Sequence, residues 1–271
     1  MIDHGKAFDW GKTSQDYAKF RDIYPESFYQ KIISRNIGIQ GQKILDIGTG
    51  TGVLPRNLYQ YGADWTGIDA SENQIQEAKR LANQQGMKIH FQAVPAEQAD
   101  FSESYFDAVT ACQCFWYFKP ELLMPILKKI LKPDGKILIL QMEWLPFEDE
   151  IAQASENLVL KYNPDWTGAG EKRHPVYLSD TVLQYADLIS QEEYAEQIPF
   201  TRETWHGRMK SCRGVGASLS EKDLADWEQE HKKLLSQIVP ENFKILHYIA
   251  MAELKIKKGN CHERNYFSQI R

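Results

Sequence analysis

Gly48, Gly50 and Gly52 stand two residues apart in the stretch LDIGTGTG, straight after an apolar run. Glycine combines left-handed torsions with the absence of a Cβ, so a chain that turns on three of them can lie close against a ligand. That ligand is a nucleotide or a nucleoside. The dinucleotide fingerprint G-x-G-x-x-G needs its third glycine where Val53 stands, and the lysine of a phosphate-binding P-loop is missing. What remains is G-x-G-x-G followed by Asp69, at the end of the next apolar segment, DWTGID. A carboxylate there can accept hydrogen bonds from both hydroxyls of a ribose. Plainer roles stay open: a tight turn for the glycines, a turn anchor for Asp46, and a helix-capping acid for Asp69 beside Ser71.

The elements that would position these residues are legible from periodicity. KILDI reads as a strand buried on both faces, and Val53–Tyr61 as a helix stopped by Gly62. DWTGID is a second strand. Ser71 and Gln74 open a helix in the manner of a capping box, with Ile75, Ala78, Leu81 and Ala82 as its buried stripe. KIHFQAV is a third strand and FDAVTACQCF a fourth. Pro120 starts a helix with Leu122, Leu123, Ile126, Leu127 and Ile130 on one face, and ILILQ is a fifth strand. Before them, Phe28, Ile32 and Ile33 mark a short helix.

Strand and helix alternate with short links, which predicts a parallel sheet with helices on both faces. After Met142 the rhythm changes to an amphipathic segment near 151–162 and the loop YNPDWTGAGEKRHPV. A sixth strand, EEYAEQIPF, follows. Two helical stretches come next: TWHGRMKSC, and a run from Ser220 with Leu224, Trp227, Leu234, Leu235 and Ile238 on its apolar face. ILHYIAMAELKI then alternates as a half-buried last strand. The expected units are an N-terminal cap with a cofactor-binding core (1–142), an acceptor-binding lid with the sixth strand (143–242), and the last core strand with the tail (243–271).

Bulk properties narrow the classes. The 271 residues carry a formal net charge of −5, which argues against a nucleic-acid footprint. No apolar run approaches the roughly 20 residues of a membrane span. The opening MIDHGKAFDWGK lacks the pattern of a secretory signal, and four cysteines suit a reducing cytoplasm rather than a disulfide framework. Cys112 and Cys114 have no matching second pair, so no metal site is expected.

LDIGTGTG, GIDAS and VPAEQADFSESYFDAVTACQCFWYF together resemble the class I S-adenosylmethionine-dependent methyltransferases. The likeness covers roughly residues 14–141 and the final strand, and is closest to the small-molecule, trans-aconitate-methyltransferase-like type. It implies a doubly wound, mostly parallel seven-stranded α/β sheet of Rossmann-like methyltransferase fold, with an inserted helical lid. It also implies S-adenosylmethionine as cofactor, with S-adenosylhomocysteine as the product. Gly48, Gly50 and Gly52 would line the methionine and ribose part, and Asp46 would sit under the amino end. Asp69 and Ala70 would hold the ribose end, Ala96 and Glu97 the adenine, and the backbone of Cys112 and Gln113 would meet the cofactor. Pro95 stands where the family often has an aspartate. Glu97 has a second reading as a solvated loop acid.

YAKFRDIYP resembles the family segment that closes over the cofactor, which makes Tyr17 and Arg21 candidates. Methyl transfer is an in-line displacement that needs alignment and a dry site, not a nucleophilic serine or cysteine. Aromatic faces near a sulfonium would add cation–π stabilisation, and Tyr17, Trp116 and Tyr117 could supply it.

Small-molecule members often carry a histidine where this chain has Trp116. The acceptor is then already ionised, such as a carboxylate, or its base comes from elsewhere. Tyr117 and His206 are the candidate catalytic residues, and Trp116, His174, Arg208 and Arg213 the candidate acceptor-binding ones, with His206 and Arg213 on one helical face. A solvated basic face is the duller account of the lid residues. The leading expectation is methyl transfer to a small organic, possibly anionic, acceptor. The alternatives are a nicotinamide-dependent oxidoreductase on a similar sheet and a non-catalytic cofactor-binding protein.

Overall fold

A computed structural model describes residues 19–257, and also the backbone of Ile2–Asp3 and Lys6–Ala7, which pair as a short antiparallel ladder. The core is one seven-stranded sheet. Its strands are β1 (Lys43–Ile47), β2 (Asp64–Asp69), β3 (His90–Ala93), β4 (Phe106–Cys112), β5 (Leu131–Trp144), β6 (Ala186–Thr201) and β7 (Asn242–Ile256). They lie in the order β3-β2-β1-β4-β5-β7-β6. The first five run parallel, and β7 is antiparallel to both β5 and β6. This is the mostly parallel seven-stranded sheet that the family resemblance implied, and its first five strands are the parallel set that the alternation of elements predicted.

The strand order reverses between β1 and β4. In doubly wound sheets that switch leaves a crevice at the carboxyl ends of the strands, where ligands bind. Here Gly48, Asp69, Gln113 and Glu143 each follow or end a strand at that crevice. The helices that flank the parallel half are α1 (Glu26–Ser34), α2 (Val53–Leu58), α3 (Glu72–Gln84) and α4 (Pro120–Ile130). Ser71 caps α3 by accepting from the Gln74 N–H, and Gly62 closes the turn after α2 in a left-handed conformation. Two packed clusters, one holding Ile44, Trp65 and Leu138 and the other Leu45, Val109 and Ile139, fill the two faces.

Several local expectations are corrected. β3 forms only over 90–93 rather than 88–94, because it is an edge strand with one neighbour. In α4, Leu122 is 50% exposed, and Met124 takes a place in the buried stripe instead. β7 is buried on both faces, not half-buried, because it lies inside the sheet between β5 and β6. Tyr248, Ala250 and Leu254 join one cluster while Ile245, Ile249 and Met251 join the other.

Residues 145–185 add α5 (Glu150–Tyr162) and α6 (Asp180–Tyr185), the second of which periodicity did not suggest. Between β6 and β7 come α7 (Arg202–Lys210) and α8 (Glu221–Ile238). No helix among the described residues is long and apolar enough to cross a membrane.

The α5–α7–α8 junction is locked by a buried polar chain. The Trp205 indole N–H donates to Ser155 Oγ at 2.9 Å, and Ser155 Oγ lies 3.1 Å from His231 Nε2. His231 Nδ1 meets His206 Nδ1 at 2.9 Å, and both imidazoles stack with Trp227. A serine that accepts from Trp205 has its hydroxyl proton free for His231, so both imidazoles fit as neutral rings. Burial, then the neighbouring His206, pushes the His231 pKa down to about 3.

The unfolded chain takes up a proton at His231 as pH falls below about 6.5, while the folded chain resists it until about 3. The stability that His231 contributes above 6.5 is therefore lost as pH drops through that window. Substitution His231→Gln removes the titration. The wild type's urea-midpoint advantage over this variant should shrink by about 1–2 kcal/mol between pH 7 and pH 5, and a constant advantage would contradict the assignment.

Candidate active site

The turn after β1 is held by its neighbours' backbone and by one carboxylate. The Thr49 N–H donates to Ile68 O at 2.9 Å. Asp69 accepts from the Gly50 N–H at 2.9 Å through Oδ2 and from the Ser71 N–H at 2.8 Å through Oδ1. The plainer role of Asp69 is thus realised in part, since it pins the Ser71 N–H at the start of α3, and it pins the glycine turn as well. Each oxygen keeps a second lone pair, and Asp69 lines the cleft, so a ribose hydroxyl could donate to either. Burial raises the Asp69 pKa, opposed by these two backbone hydrogen bonds.

Gly48 and Gly52 are glycines for separate reasons. At Gly48 the backbone has φ +63°, and a Cβ would come within 2.8 Å of Cys114 Sγ. At Gly52 φ is +75° and a Cβ would meet the Phe91 ring at 2.7 Å. Gly48 and Gly50 line the cleft, whereas Gly52 does not; its constraint is the approach of Phe91. Asp46 also lies behind the wall. It is buried, accepts from the Thr110 hydroxyl at 2.6 Å across the β1–β4 pair, and has its pKa pushed up to about 7 by burial.

The cleft has a volume of about 1050 Å³. Of the expected cofactor residues, Arg21, Gly48, Gly50, Asp69, Ala70, Ala96, Glu97, Cys112 and Gln113 line it. Tyr17 lies outside the described residues. Glu97 Oε1 accepts from the Lys119 N–H at 3.1 Å, which ties the β3–α3 side to the start of α4. Gln113 has φ +61°, an uncommon torsion for a residue with a side chain, directly after β4. Burial pushes the Cys112 thiol up to about 12 and the Cys114 thiol well above its ordinary value, so both stay protonated and unreactive.

On the acceptor side, Trp116, Tyr117, His174, Arg208 and Arg213 also line the cleft, with Trp116 half-exposed at the mouth. His206 does not line it. This candidate catalytic residue is buried in the α7–α8 junction against His231 and Trp227, so the catalytic expectation for it is corrected. Nor do His206 and Arg213 share a helical face. α7 ends at Lys210, and Arg213 sits in the following turns, where its guanidinium donates to Thr167 Oγ1 at 2.6 Å.

Arg208 lies deep in the floor at 2% exposure. Its guanidinium stacks over the Trp144 ring at 4.7 Å, and Nη1 reaches Cys212 Sγ at 3.4 Å. Among the described residues its Nε is buried with no hydrogen-bond partner, and no carboxylate lies within ion-pair distance of it. Burial, and next the nearby Arg21 charge, lowers its pKa.

Residues that motif reading missed complete the floor: Gln141, Glu143, Trp144, Trp166 and Glu171. Glu171 Oε1 accepts from the Tyr248 hydroxyl at 2.5 Å and lies 2.9 Å from His174 Nε2, and Gln141 donates to the Tyr248 oxygen at 2.9 Å. A signal existed for two of them. Gln141 and Glu143 alternate on one face at the end of an otherwise apolar strand, a polar departure that marks a ligand-facing end.

Residues 45–139 match the family model of the methyltransferase domain. That stretch begins in β1, takes in the turn after it and ends in β5. Over 132 residues it is 32% identical to the ubiquinone biosynthesis O-methyltransferase of Coxiella burnetii (strain Dugway 5J108-111), covering 48% of this chain and 56% of that protein. The chain thus spans just over half the length of that curated relative.

Among solved structures, the YcgJ protein of Bacillus subtilis shares the fold at a TM-score of 0.50 and 18% identity, covering 87% of this chain and all of that one. An N-methyltransferase of Haemonchus contortus, in complex with phosphomonomethylethanolamine and S-adenosylhomocysteine, does so at a TM-score of 0.54 and 18% identity. There the coverage is 92% of this chain and 58% of that one.

The Gly48 geometry carries its own test. Gly48→Ala forces a left-handed alanine and a clash with Cys114, and should cost about 1–3 kcal/mol in a denaturant titration. Unchanged stability would mean that the turn can relax away from Cys114.

Proposed function

We propose that this protein transfers the methyl group of S-adenosylmethionine to a small organic acceptor that carries an anionic group, received by Arg208. One observation carries the reading: a cation buried to 2% exposure lines the cleft and, among the described residues, its Nε is unpartnered and no carboxylate is paired to it. A buried charge without a partner is costly, and an anionic ligand group would offset that cost. A guanidinium also matches a carboxylate in shape, with parallel donors in one plane.

The residues present fit the cofactor. A Cβ-free turn at Gly48 and Gly50 can meet the ligand backbone to backbone, and the spare lone pairs of Asp69 suit the ribose hydroxyls. When bound, S-adenosylmethionine supplies an already activated methyl carbon. The chain's own residues then have three tasks. Asp69, Ala96 and Glu97 hold the nucleoside end, and Arg21 and the Gln113 backbone face the methyl-bearing end. Arg208, stacked on Trp144, fixes the acceptor's anion. Trp116, Tyr117 and Trp166 close off water, which strengthens these charge interactions and keeps the reacting atoms aligned.

Titration calorimetry with S-adenosylhomocysteine should show binding, and NADH should give no heat. Asp69→Ala should weaken that binding by about 10- to 100-fold, the worth of hydrogen bonds to a charged acceptor. Incubation with methyl-labelled cofactor and fractionated metabolites should yield a labelled small molecule retained on an anion exchanger. Arg208→Met should raise the KM for that acceptor by about 10- to 100-fold while leaving S-adenosylhomocysteine affinity unchanged. An unaltered KM would remove Arg208 from the acceptor site.

A further inference from the structure

We propose that Glu143 is the general base of this site, and that the methyl acceptor is a protonated heteroatom, a hydroxyl or an amine, on a molecule whose separate anionic group is anchored elsewhere in the cleft. The inference rests on the methyl-transfer reading above and adds which atom is methylated.

Four carboxylates line the cleft, and three of them are tied to backbone N–H groups, a tyrosine hydroxyl or an imidazole. Asp69 accepts from the Gly50 and Ser71 N–H groups at the nucleoside end. Glu97 accepts from the Lys119 N–H. Glu171 accepts from the Tyr248 hydroxyl and meets the His174 ring. Glu143 forms no ion pair among the described residues, although it shares the cleft with Arg208 and Arg21; its hydrogen-bonding neighbour is the neutral amide of Gln113. Its position is set by the end of β5, where it pairs across the ladder with Tyr248, next to the strand end that carries Gln113.

A cation and an anion that face one cavity without touching define a slot with two chemical ends. A ligand with an anion at one end and a proton-donating heteroatom at the other satisfies both. An acceptor whose only polar group is a carboxylate satisfies Arg208 and leaves Glu143 desolvated beside a second negative charge.

The groups that set the charge state of Glu143 are Arg208, Arg21 and Glu171, with a side-chain hydrogen bond from Gln113, and Cys112, Cys212 and Tyr248 also feel its charge. Burial holds its pKa above the usual carboxylate range, opposed by Arg208 and then Arg21. A raised carboxylate is a better proton acceptor, since the effective base has a pKa near the working pH. In the step, Glu143 takes the proton from the acceptor oxygen or nitrogen as that atom's lone pair forms the bond to the methyl carbon. The carbon–sulfur bond breaks with its electron pair on sulfur, and the neutral thioether leaves. One bond to carbon forms and one breaks, and the proton ends on Glu143.

The experiment uses the full chain, methyl-labelled S-adenosylmethionine and fractionated metabolites, followed by mild alkali on the labelled product. An ether or amine keeps its label, whereas a methyl ester releases labelled methanol. Retained label on a product that still binds an anion exchanger is expected. Release as methanol overturns this inference and leaves the methyl-transfer reading standing, while no labelled product at all overturns that reading itself.

Glu143→Gln supplies the second arm. It should bind S-adenosylhomocysteine with wild-type affinity by calorimetry, lower kcat at least 100-fold at pH 7, and flatten the acid limb of the pH–rate profile. Glu143→Asp should restore part of the rate. Loss of S-adenosylhomocysteine binding in Glu143→Gln, or an unchanged acid limb, would assign the residue a structural role and overturn the proposal.

Discussion

The carboxylate of Asp69 joins three elements through two short hydrogen bonds. One oxygen pins the Gly50 N–H and so fixes the turn after β1; the other pins the Ser71 N–H and so fixes where α3 begins. If that link slackened, the turn would lose its position relative to β2, and the ligand-facing edge of the sheet would lose its shape. Burial makes the arrangement costly for a charge, and the two backbone donors offset that cost. The glycines, the crowding of Cys114 onto Gly48 and that of Phe91 onto Gly52 all follow from bringing the chain this close.

Across the cleft the electrostatic logic differs. Arg208 is held by a ring face and a sulfur, both weak partners for a full charge. Among the described residues Glu143 has no ion-pair partner either, though opposite charges share the same cavity. Folding alone does not favour this arrangement, because buried charges are normally paired. Binding sites commonly leave polar groups unsatisfied until a ligand supplies the partner, and strain at functional positions follows the same rule. The left-handed torsion of Gln113, beside Glu143, belongs to this group.

The helices after β5 and β6 keep that floor in place through a different device. Trp205, Ser155, His231 and His206 run as a hydrogen-bonded chain through the α5–α7–α8 junction, with Trp227 stacked against both imidazoles. Arg208 is three residues from Trp205 on α7, so the junction that buries Trp205 also sets the depth of the guanidinium. His206 therefore acts on the site through packing, not by contact with the cleft.

Sequence alone carried the architecture of the parallel half. Alternating strands and helices, Ser71 before a helix, and glycines after a strand are local signals, and local rules governed those elements. It also carried the placing of Gly48, Gly50 and Asp69 on one cleft wall, because LDIGTGTG and Asp69 lie close together in the chain and act through backbone geometry that residue type dictates. The fate of His206 and the partners of Glu143 were not legible, since both depend on contacts between segments far apart in the chain. A histidine on a helix reads alike whether it faces a cleft or a second histidine; only the packing of α8 decided between them. The tertiary structure likewise decided the burial of β7 on both faces, because strand order in a sheet is a property of the whole chain and not of any one stretch.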